Sequence, residues 1–71
     1  MINTLKIKAR MVELGLVQKD VAKAMGIATP TVSQKLNNIR PMNLEEADKL
    51  ADLLKIDTIQ FGEYFFKTKI A

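Results

Sequence analysis

Cysteine and histidine are both absent from these 71 residues, and the two gaps exclude much of the chemistry a small domain can host. Without cysteine there is no disulfide framework and no thiolate zinc site, so packed apolar faces must hold the chain together. The same gap fits a reducing, cytoplasmic setting. Without histidine the commonest metal ligand and general base are missing, with the base of every Ser-His or Cys-His nucleophile pair. Long apolar runs are missing too: Lys, Arg, Asp or Glu interrupts every hydrophobic segment short of the ~20 residues a membrane-spanning helix needs. The N-terminal stretch interleaves Lys6, Lys8 and Arg10 with Ile2, Leu5 and Ile7, unlike a signal peptide. These gaps predict a soluble chain that is not an enzyme and uses no metal, cofactor or small-molecule substrate. The length predicts one domain over residues 1–71.

Charge is present, and unevenly placed. Residues 1–42 hold seven basic and two acidic side chains, residues 43–71 four basic and six acidic, within a net charge of +3. A basic N-terminal half is what a polyanion partner selects, although lysines on ordinary solvated helices give the same count.

Apolar residues recur at helical spacing throughout, and no segment alternates as a strand does. Leu5, Ala9, Val12 and Leu16 predict a first helix over residues 3–14, with Asn3 or Thr4 as its cap and Gly15 ending it. Val21, Ala22 and Met25 predict a second helix from Gln18 to Met25, stopped by Gly26. Thr29-Pro30 reads as a cap followed by the first residue of a third helix that runs to about Asn38 and is broken by Arg40-Pro41. Asn43 with Glu46 three residues later forms a capping-box pattern, and Leu44, Ala47, Leu50, Ala51 and Leu54 continue the fourth helix as an apolar stripe. A fifth, over residues 59–66, carries all four aromatics: Phe61, Tyr64, Phe65 and Phe66. The expected fold is all-α, a bundle of five short helices with short connections.

Ala22 is small where two helices must cross closely, Gly26 stands four residues later in a sharp turn, and Val32 anchors the next helix to the core. With Gln18 opening the pair and Leu14-Gly15-Leu16-Val17 leading into it, these residues resemble the helix-turn-helix of the lambdoid phage Cro and repressor family, over about residues 5–66. The resemblance implies a lambda-repressor-like DNA-binding domain, with the helix-turn-helix pair at about residues 18–38, helix three in the major groove and helix two above the backbone. With Val32 and Leu36 inward and about 100° per residue, Gln34 points opposite the core. Its amide suits bidentate pairing with adenine. Thr29 and Pro30 at the helix start, with the hydroxyls of Thr31 and Ser33, complete the expected base-reading set. Gln18, Lys19, Lys35, Asn37, Asn38 and Arg40 lie around the same face as expected phosphate contacts, with Lys35 and Arg40 ranked above Lys23.

The sequence also departs from the family. Val17 stands where relatives cap helix two with Thr or Asn, which predicts fraying there. Met11 and Leu36 replace a buried Arg–Glu pair, and Lys35 occupies a place where relatives bury an aliphatic side chain. Four aromatics exceed what one short helix can bury: Phe61 and Phe65 are expected to close the core, leaving Tyr64 and Phe66 at a homodimer interface that spaces two recognition helices along double-stranded DNA. The function implied is that of a phage or prophage repressor at a palindromic operator. A rival is a protein-interaction module such as an antitoxin, in which residues 67–71 order only with a partner chain. An enzyme would have to use Glu45-Glu46 or Asp48 with Asp52, which read instead as the cap and polar face of helix four.

Overall fold

A computed structural model of the chain describes residues 2–66. Five helices follow in order: α1 (Thr4–Leu14), α2 (Gln18–Met25), α3 (Thr29–Leu36), α4 (Leu44–Leu53) and α5 (Thr58–Phe65). They surround a core built from Ile2, Ile7 and Met11, from Val21, Ala22 and Met25, from Val32 and Leu36, from Ala47, Leu50, Ala51, Leu54 and Ile56, and from Tyr64 and Phe65. α2 sits centrally, packing against both α3 and α4, while α1 packs against α5. Residues 67–71, on which the antitoxin reading turns, lie outside the described residues.

α1 corrects one expectation. Of its predicted stripe, Leu5, Ala9 and Val12 face water, Leu5 and Val12 each 79% exposed, and Leu16, beyond the helix, packs against the core; Ile7 and Met11 are buried instead. The helix carries two apolar stripes of identical spacing, Leu5-Ala9-Val12 and Ile7-Met11-Leu14, and periodicity cannot rank them. Side-chain size does: the second stripe has no alanine and removes more apolar surface from water. Asn3 caps the helix, its side-chain oxygen accepting the Lys6 N–H at 3.2 Å. Gly15 ends it at φ +68°, and the following Leu16 N–H reaches back to the Met11 carbonyl at 2.8 Å, closing a left-handed terminus.

α3 begins one residue earlier than expected. Ala28, not Thr29, is its cap, because the Ala28 carbonyl accepts from both the Thr31 and Val32 N–H groups. Pro30 therefore sits second, still within the first turn, where a missing N–H costs nothing. The helix also stops earlier, at Leu36, because Asn38 turns left-handed at φ +61° before Pro41 is reached. α4 opens on the predicted capping box: the Asn43 side chain accepts the Glu46 N–H at 2.7 Å, and Glu46 accepts the Asn43 N–H at 3.1 Å. Leu44 is exposed, so the buried stripe of α4 starts at Ala47.

The aromatic cluster is arranged differently from the expectation. Tyr64, predicted at an interface, is only 9% exposed, whereas Phe66 is 64% exposed. Phe65 is buried and Phe61 half-buried, the two rings stacked at 4.6 Å between centroids. Tyr64 is covered because α5 turns it toward α1, where the Lys6 ammonium stands 5.0 Å over its ring and pairs with Glu63 at 2.9 Å. Among the described residues no helix is long and apolar enough to cross a membrane.

Candidate nucleic-acid interface

The α2–α3 pair is set by what it buries. Ala22 lets α2 approach its neighbours, Gly26 at φ +69° reverses the chain, and the Ile27 N–H bonds back to the Ala22 carbonyl at 3.1 Å. Val21 on α2 and Val32 and Leu36 on α3 are completely buried. With those two positions inward, the outward face of α3 follows from helix geometry. Thr29, Pro30 and Gln34 are exposed, and Thr31 and Ser33 are half-buried beside them. None of these five side chains carries a formal charge.

Around that face the sequence-predicted flanking residues divide. Gln18, half-buried, opens α2, and Lys19 and Arg40 are exposed. Among the described residues no ion pair involves Lys19, Lys23 or Arg40. Val17 gives α2 no side-chain cap, but Asp20 reaches back and accepts the Val17 N–H at 2.8 Å, supplying half of a capping box that the sequence reading overlooked. Among the described residues the N–H groups of Gln18 and Lys19 have no partner and stand as donors at the positive end of the helix.

Lys35 is placed against its expected role. Its ammonium is 2.5 Å from both Glu46 carboxylate oxygens, and the two side chains are only 14% and 13% exposed. The charge is therefore spent inside the domain, joining α3 to the cap of α4, and is withdrawn from the phosphate set. The aliphatic stem of Lys35 takes the inward position, as amphipathic side chains do, while the head finds a carboxylate. Burial alone raises the Glu46 carboxyl, but the bond from Lys35, the Asn43 N–H and the charges of Lys35 and Lys49 outweigh it and hold the group below its ordinary value.

Asn38 also departs from the phosphate set. Its side chain accepts from the Ile2 N–H at 2.9 Å and donates to the Ile2 carbonyl at 3.0 Å and to Thr4 Oγ1 at 3.2 Å. Asn37 stays exposed, with its amide donating to the Ser33 carbonyl at 2.8 Å and accepting from Lys8 Nζ at 3.1 Å. That last bond brings in a cation the sequence reading missed. Lys8 is 29 residues away in the chain, and its approach to α3 depends on how α1 packs, which no local pattern encodes. Among the described residues no group of acidic side chains is placed to hold a metal ion.

The sequence profile described as helix-turn-helix matches residues 7–61. The chain belongs to the helix-turn-helix family. No curated protein matches it. Membership makes this chain a DNA-binding domain of the transcription-regulator kind and not an enzyme. In this helix-turn-helix protein the matched stretch runs from the first buried residue of α1 to Phe61 in α5, so it takes in the whole of α2, the turn and α3.

Proposed function

We propose that this helix-turn-helix domain is a repressor of phage or prophage type, acting in the cytoplasm, that occupies a partly palindromic operator with α3 in the major groove. The observation that carries the reading is the uncharged outward face of α3, Thr29, Pro30 and Gln34 with Thr31 and Ser33, with the exposed Lys19 sharing a surface groove with Thr29 and the exposed Arg40 bonded through its backbone N–H to the Gln34 carbonyl at 3.2 Å. Gln34 is the central reader, its amide pairing with adenine N6 and N7. Pro30 and the threonine methyls meet thymine methyls. Gln18, Lys19, Asn37 and Arg40 take the phosphates, and the free N–H groups at the start of α2 add to them.

A homodimer places two such faces about one DNA turn apart. Support comes from the exposed Phe66 and Leu44, which line one apolar groove together with Met42 and Phe61. Leu44 thus takes the interface role first expected of Tyr64. The domain requires no cofactor for this.

The test is selection from a random duplex pool with the wild type and Gln34→Ala, followed by salt titration on the selected site. A palindromic motif that relaxes at one position per half-site in the variant is the expected result. Weak binding with no motif would sink the operator reading, and sedimentation showing only monomer on the selected duplex would sink the dimer.

A further inference from the structure

Ile2, Asn3 and Thr4 are tied to two separate helices, and the DNA-facing surface described above makes no use of them. At one end, Asn38 pairs with both the N–H and the carbonyl of Ile2, and the Thr4 hydroxyl accepts from Asn38 while donating to the Leu36 carbonyl at the last turn of α3. At the other end, the Asn3 N–H bonds to the Tyr64 carbonyl of α5 at 2.8 Å. The Ile2 side chain is buried between them in the core. Asn38 holds a left-handed conformation, where glycine is the usual residue. Glycine would satisfy the backbone there but could make none of the three side-chain bonds, so the side chain supplies a reason for asparagine at this position.

We propose that residues 2–4 form a strap that fixes the end of α3 to the body of the domain, and that Asn38 is a positioning residue for base reading and not a phosphate contact. The inference rests on the reading of α3 as the recognition helix. Gln34 lies one turn before Asn38, and α3 is only eight residues long. A helix of two turns has few attachments. Beyond Val32 and Leu36 in the core, this one is held by the Lys35–Glu46 pair on one flank, by the exposed Lys8–Asn37 bond at its C-cap and by the strap just past its end. Releasing the end lets α3 shift, and a bidentate contact that depends on two aligned hydrogen bonds is lost with a small displacement.

The experiment compares wild type, Asn38→Gly and Gln34→Ala on the selected duplex and on a random duplex across a salt series, at a temperature where circular dichroism shows each protein fully folded. Asn38→Gly keeps the left-handed backbone and removes the three bonds. The expected result is a loss of about tenfold in affinity for the selected site, the worth of one base contact, with random-duplex affinity and salt slope unchanged. Unchanged affinity for the selected site overturns the proposal. So does an equal loss on both duplexes with a salt slope lowered by about one contact, which is the signature of a phosphate ligand. Should Asn38→Gly fail to fold, Thr4→Val, which keeps shape and removes the hydroxyl bridge, enters the same assay with the same direction expected and the same overturning results. A Gln34→Ala variant as selective as the wild type identifies a different failure, that of α3 as the reading helix, and the strap's role in reading falls with it.

Discussion

Replacing Glu46 with glutamine isolates the charge that holds Lys35. The substitution keeps an oxygen to accept the Asn43 N–H, so the cap of α4 survives, but it leaves the Lys35 ammonium facing a neutral amide. A hydrogen bond involving an ion contributes about 1.5–3 kcal/mol and a neutral one about 0.5–1.5, so the exchange costs about 1–1.5 kcal/mol. Stranding a fully buried charge costs about 3–5 kcal/mol, but Lys35 retains a water-facing edge and a flexible stem that limit the loss. For a domain of this size 1 kcal/mol moves the melting temperature by about 4–8 °C, so Glu46→Gln should melt about 5–10 °C below the wild type at pH 7. The pH dependence carries a sign. The Glu46 carboxyl is held below its ordinary value in the folded state, so its stabilisation is present above the ordinary carboxylate value of the unfolded chain and disappears as pH falls through the lower folded value. Thermal melts of both proteins from pH 7 down to pH 3 should show the gap closing only in the acid range. Lys35→Met added to Glu46→Gln should recover most of the loss, since an apolar side chain leaves no charge to strand. Variant and wild type melting together at pH 7, or a gap that persists undiminished at pH 3, would refute the pair as a stabilising contact.

Two further outcomes follow from the helix ends and the flanking charges. Val17→Thr preserves shape and supplies the side-chain acceptor that α2 lacks; it should stabilise the fold by about 1 kcal/mol, and a denaturant midpoint no higher than the wild type's would contradict the capping argument. Lys19→Gln should weaken binding to selected and random duplexes alike and reduce the salt slope by about one unit; a loss confined to the selected site would make Lys19 a base reader instead.

Much of this was legible in the residues, and the failures have identifiable physical causes. Asn43 with Glu46, Gly15 and Gly26 mark their boundaries because capping and left-handed turns are local chemistry. The ends of α3 were misplaced for the same kind of reason in reverse. Proline is tolerated anywhere in a first turn, and Asn38 leaves the helix in a left-handed conformation with its side chain bonded to a distant segment, a partner that no local pattern encodes. The face of α1 was ambiguous since Leu5-Ala9-Val12 and Ile7-Met11-Leu14 satisfy one period equally well. The outward direction of Gln34 followed once Val32 and Leu36 were inward, for a helix has only one opposite side. What spacing could not convey was where Lys35, Asn38 and Lys8 would send their polar groups. Their partners Glu46, Ile2 and Asn37 are brought near by tertiary packing, and each hydrogen bond depends on that approach.

The internal use of Lys35 also separates two jobs along the outer surface. With that ammonium committed to Glu46, the face from Thr29 to Gln34 is electrically neutral, and the exposed cations stand at its margins, Lys19 across a groove from Thr29 and Arg40 next to the Gln34 carbonyl. Attraction to a polyanion at the margins weakens as counterions accumulate, whereas discrimination by amide, hydroxyl and methyl groups depends on their fit to a base edge. For a domain reading DNA in the proposed way, rising ionic strength would lengthen the search and shorten the stay while leaving the preference between two competing sequences nearly constant. Such a regulator would be tuned in strength by its surroundings without being retuned in target.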